Sequence, residues 1–93
     1  VGVEGYAQDI PGSELSFGAN PARYPVVHLA LPYRSSVELA VYDIAGRRVR
    51  QQTEGVLAAG TYSIGIGRLE PGVYFCVLRT EQEELREKLV IID

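Results

Sequence analysis

Residues 70–78 read EPGVYFCVL, a proline–glycine pair running straight into an unbroken apolar segment. Pro71 and Gly72 fit positions i+1 and i+2 of a type II turn, where glycine supplies the positive φ. The segment VYFCVLRT that follows is apolar on both of its alternating faces. A strand of that kind belongs in the middle of a sheet, covered on both sides. Cys76 lies halfway along it and is the only cysteine in the chain, so no intrachain disulfide can form. An unpaired cysteine in such a strand packs as a small hydrophobe.

Downstream, EQEE (residues 81–84) supplies a charged hairpin tip and LREKLVIID returns as a final strand. On that return Leu89 and Ile91 share one face, while Lys88, Val90 and Ile92 share the other. Upstream, VLAAGTYSIGIG (56–67) reads as a loop and then a strand with Tyr62, Ile64 and Ile66 in phase. Before it, DIAGRRVR (43–50) turns the chain through Gly46, which takes the positive φ of a bulged hairpin turn. The polar run RRVRQQTE beyond that turn suits an exposed edge strand. SVELAVYDI (36–44) points Val37, Leu39 and Val41 inward and Glu38, Ala40 and Tyr42 outward. PVVHLALP (25–32) alternates Val27, Leu29 and Leu31 against Val26, His28 and Ala30, bracketed by prolines that cannot donate to a ladder. A short strand at Leu15–Phe17 stops at Gly18 and the Asn20-Pro21 turn.

About seven strands at a spacing of roughly 8–12 residues, with no sustained helical period, predict an all-β antiparallel sandwich with Greek-key connections. Residues 15–93 form the one domain, and residues 1–14 precede it as a linker. The expected core is Val27, Leu29, Leu31, Val37, Leu39, Val41, Tyr74, Cys76, Leu78, Leu89 and Ile91.

Composition sets the outer bounds. The chain has 93 residues, 46% hydrophobic and 23% charged, which suits one ordered globular domain. Its net charge of −3 argues against nucleic acid and anionic membranes as partners. No apolar run approaches the roughly 20 residues of a helical membrane span. There is no methionine, not even at position 1, so the sequence is expected to be a mature or excised piece of a longer protein.

Residues able to do chemistry are sparse. His28 is the only histidine and falls on the more polar phase of its strand. Cys76 would need a lowered pKa and a positioned base to act as a nucleophile. No nucleotide-binding, metal-ligating or nucleophile-elbow pattern occurs, and neither cofactor nor metal is expected. Arg47, Arg48 and Arg50 cluster beside Gly46, but without interleaved aromatics they read as a charged edge and not a nucleic-acid site. Tyr6, Tyr24, Tyr33, Tyr42 and Tyr62 would make a sugar-binding platform only if they shared one face.

The order of these elements is more specific than any one of them. NPAR, LALP, VELAVYDIAGRRVR, AAGTYSIGI, LEPGVYFCVL and KLVIID follow one another at a characteristic spacing. Together they resemble the C-terminal sorting domain of type IX secretion substrates, a relative of the immunoglobulin-like domain of flagellar hook-capping proteins. The likeness covers about Leu15 to Asp93. It is carried by Tyr-Asp-x-x-Gly-Arg-x-Val at Tyr42–Val49, Pro-Gly-Val-Tyr-Phe at Pro71–Phe75 and Lys-Leu-Val-Ile at Lys88–Ile91.

The resemblance implies an immunoglobulin-like sandwich without a disulfide, in which Cys76 fills an apolar position. It implies a non-catalytic domain that follows an N-terminal cargo domain and is read by outer-membrane secretion machinery: translocon, shuttle and sortase. The recognised residues would be Gly72, Val73 and Tyr74 with Lys88, Leu89, Val90, Ile91 and Ile92, and Gly46, Pro71 and Gly72 would shape the turns. The cargo would pass through the periplasm to the cell surface or the medium, and a sortase would remove the domain. Two other classes stand beside this one: an immunoglobulin-like spacer or carbohydrate-binding adhesion module, and a small enzyme. The last lacks an acid–base pair, and the first two differ in that a sorting domain must be C-terminal.

Overall fold

The computed structural model describes residues 12–92, with the backbone alone at residues 52–54. Seven strands follow in chain order: β1 (Glu14–Phe17), β2 (Val26–Leu31), β3 (Ser35–Asp43), β4 (Arg48–Leu57), β5 (Gly60–Gly65), β6 (Gly72–Thr80) and β7 (Glu84–Ile91). They form two sheets with orders β1-β2-β5 and β4-β3-β6-β7, every pair antiparallel. The chain passes between sheets after β2, β4 and β5. The β2–β5 pair of one sheet therefore interlocks with the β3–β6 pair of the other. This is an immunoglobulin-like β-sandwich, as the strand pattern predicts.

Its core lies where the alternation put it. Val27, Leu29 and Leu31 of the smaller sheet face Val37, Leu39, Val41, Cys76, Leu78, Leu89 and Ile91 of the larger, all buried. Leu15, Ile66 and Leu69 extend this core at its margins. β6 runs between β3 and β7, in register with Val41 at Cys76 on one side and with Glu87 on the other. Tyr74, two residues before Cys76, buries its ring and donates its hydroxyl to the Glu70 carbonyl at 2.7 Å. Such a tyrosine corner recurs in immunoglobulin-like domains, and it fixes the entry of β6 with no disulfide.

The hairpin at Gly46 also forms. Gly46 takes φ +87, its amide donates to the Asp43 carbonyl, and Asp43 Oδ1 accepts from the Ala45 and Arg47 amides at 2.9 Å.

Three features differ from expectation. Gly72 is not the corner of a type II turn: it already pairs with Ile91 inside β6, and its φ of +154 is far more extended than the turn's value of about +80. β4 continues through Val56 and Leu57, leaving only Ala58 and Ala59 between it and β5. The two register shifts in the β3–β4 pair and the positive φ of Gly55 let this long edge strand keep Leu57 half-buried against the core. Finally, Ala40 points outward yet is only 3% exposed, because Gln51 and Val77 flank its single methyl group in the register.

Candidate functional site

The β6–β7 hairpin brings the two stretches singled out in the sequence side by side. Gly72 pairs with Ile91, Val73 with Val90, Tyr74 with Leu89 and Phe75 with Lys88. Alternation then divides these residues by role. Tyr74, Leu89 and Ile91 turn inward and are buried. Val73, Lys88 and Ile92 are exposed and Val90 and Phe75 are half-buried, so these side chains are the ones offered to a partner.

The outer backbone edge of β7 is closed by a segment from the other end of the domain. Asn20 donates its side-chain amide to the Lys88 carbonyl at 2.8 Å and accepts from the Val90 amide at 2.9 Å. Ala22 continues the pattern, donating to the Val90 carbonyl and accepting from the Ile92 amide. Four hydrogen bonds therefore occupy the groups an added strand would need along residues 88–92. The sequence showed Asn20-Pro21 only as a turn, because nothing local links residue 20 to residue 90.

Next to this latch, Arg23, Tyr24, Arg68, Leu69, Pro71 and Ile92 line an open cleft of about 360 Å³. Further along the outer face of the larger sheet, charges alternate across four strands. Glu38 lies 3.1 Å from Arg79 and 3.9 Å from Arg48, Arg79 also reaches Glu84 at 3.1 Å, and Arg86 stands 4.0 Å from Glu84. The hydrogen bond to Glu84, then the charges of Glu84 and Glu38, hold the Arg79 guanidinium in its protonated form.

The remaining candidates assemble no chemistry. His28 is exposed and its Nδ1 sits 2.9 Å from the Ser63 hydroxyl, with no carboxylate hydrogen-bonded to either among the described residues. Burial pushes the Cys76 thiol up to about 12, so it stays protonated at neutral pH. Among the described residues no group of His, Cys, Asp or Glu is arranged to hold a metal. Tyr24 and Tyr33 lie in the connections at opposite ends of β2, Tyr42 is on the larger sheet, and Tyr62 packs against the core. These four make no common platform, and Tyr6 lies outside the described residues.

No curated protein matches the chain in sequence. The family model of the secretion-system C-terminal sorting domain matches residues 20–92, from the latching asparagine to the last residue of the closed edge. Sandwich and motif order agree with that match, and the chain belongs to the family of type IX secretion C-terminal sorting domains.

Proposed function

We propose that this domain is the address of an exported cargo protein and is read as a fixed relief of side chains on the β6–β7 hairpin. The observation that carries this reading is the division of the hairpin. Tyr74, Leu89 and Ile91 hold it in the core, while Val73, Lys88, Val90 and Ile92 face outward beside one another. A translocon or shuttle protein engages that outer face and conducts the cargo from the periplasm across the outer membrane. A sortase then removes the domain, leaving the cargo on the surface or free in the medium.

The test joins the whole 93-residue chain to a reporter bearing a signal peptide, in a host with a type IX system. Export of the reporter is the expected result, and Val90→Ser with Ile92→Ser abolishes it without unfolding the domain. A folded fusion that stays in the periplasm defeats the proposal and leaves a spacer role in its place.

A further inference from the structure

The cleft beside the latch carries two arginines, Arg23 and Arg68, on its wall. The chain has 12 acidic and 9 basic residues, and among the described residues four arginines lie within 4.0 Å of a carboxylate. Arg47 is bound to Asp43, and Arg48, Arg79 and Arg86 belong to the ladder on the larger sheet. Arg23 and Arg68, on the cleft wall, have no carboxylate within 4.0 Å among the described residues. A third arginine supports them: Arg50 donates to the Arg68 carbonyl at 2.7 Å and to the Val49 carbonyl at 2.8 Å, and it has no carboxylate within 4.0 Å among the described residues.

The rest of the cleft is apolar. Tyr24 is 67% and Ile92 46% exposed, and Pro71 completes the rim. The latch builds this arrangement, because the Ile92 amide is tied to Ala22, which carries Arg23 and Tyr24 directly behind it. Guanidinium forks favour carboxylates, which they grip in a bidentate manner, and the exposed ring and aliphatic chain favour an apolar neighbour.

We propose that this cleft docks an acidic segment of the export machinery: an Asp or Glu carboxylate between Arg23 and Arg68, with an adjoining apolar side chain on Tyr24 and Ile92. This rests on the sorting function proposed above and assigns the chemistry of its partner. It adds a second contact area, separate from the outward residues of the β6–β7 hairpin apart from the shared Ile92.

The test uses the full exported protein in its own host, with Tyr24 replaced by photo-reactive p-benzoylphenylalanine. After irradiation, the adduct is mapped by mass spectrometry. The expected adduct is a protein peptide containing Asp or Glu. Its yield falls about tenfold or more in Arg23→Glu/Arg68→Glu, a loss typical of reversing a charge at an interface. It persists in Arg23→Lys/Arg68→Lys and in the remote control Arg34→Glu. Thermal midpoints confirm folding, and Arg23→Gln/Arg68→Gln replaces the charge reversal if that variant unfolds.

An adduct confined to lipopolysaccharide, a protein adduct indifferent to the charge reversal, or no protein adduct overturns the cleft assignment. Export of the unmodified protein is scored in parallel. Normal export with an indifferent adduct removes the cleft and spares the sorting function, whereas failed export of the unmodified protein removes the sorting function itself.

Discussion

The hydroxyl of Tyr74 ties β6 to the segment that enters it, while the ring fills the core beside Leu89. These two contributions are separable. Tyr74→Phe should lose about 0.5–1.5 kcal/mol, the net worth of one hydrogen bond. Tyr74→Ala should lose about 3–5 kcal/mol, as large aromatic truncations in cores do. Chemical denaturation distinguishes them, and equal losses would show that the ring contributes nothing beyond its hydroxyl. Cys76 two residues later gives a pH-dependent prediction. Its folded pKa, about 12, lies above the unfolded value of 9.0, so its contribution to stability is complete below pH 9 and fades as pH rises toward 12. Cys76→Ala should flatten the decline in stability between pH 9 and 12, measured as denaturation midpoint against pH.

Among the elements, the β3–β4 hairpin depends on one carboxylate. The Arg47 amide hydrogen bond, foremost among several contacts from Arg47 and Ala45, holds the Asp43 carboxyl below its ordinary 3.8. A lowered folded pKa gives stability that is present above the unfolded value and is lost as pH falls through the folded one. Asp43→Asn should therefore loosen the turn at neutral pH and remove its acid sensitivity, seen as faster amide exchange at Ala45 and Arg47. The β7 edge offers the counterpart. Asn20→Ala removes both side-chain bonds to Lys88 and Val90. Exchange of the Val90 amide should rise sharply while that of Leu78 in the core does not; parallel acceleration of both would mean global unfolding and no separate latch.

These two elements also show what was legible in the sequence. Gly46 and Asp43 are neighbours, so local turn chemistry revealed their hairpin before any coordinates did. Strict alternation likewise gave the inward faces of β2, β3 and β7. The latch was invisible because Asn20 and Val90 are 70 residues apart and the groups that Asn20 meets on β7 are backbone, which carries no sequence signature. The extent of β4 was hidden for a related reason: Val56 and Leu57 run into Ala58, Ala59 and Gly60 and read as loop, and only pairing with Ser36 and Ser35 of β3 makes them strand.

For the molecule as a whole, the fold and the proposed address are built from the same residues. Removing residues 88–93 should abolish export, but it takes the buried Leu89 and Ile91 with it and so destroys the sandwich as well. Burial of each such side chain is worth about 1.5–3 kcal/mol. Changing Val90 and Ile92 alone should keep the denaturation midpoint within about 1 kcal/mol of the parent, since neither is fully buried. The cleft was not legible at this scale either: Arg23 and Arg68 stand 45 positions apart in sequence and meet only because the sheets close over each other.

The latch also bears on when the domain becomes complete. Asn20 leaves the ribosome long before residues 88–92, which hold its partners in the last of the domain's seven strands to be made. Contacts at such separation close slowly, because the intervening chain must be ordered first. A polypeptide that stops short of Lys88 leaves Asn20 and Ala22 without their partners, however well its earlier strands have paired. The closed edge thus acts as a receipt for a completed sandwich, issued at its front only when residues 88–92 have arrived.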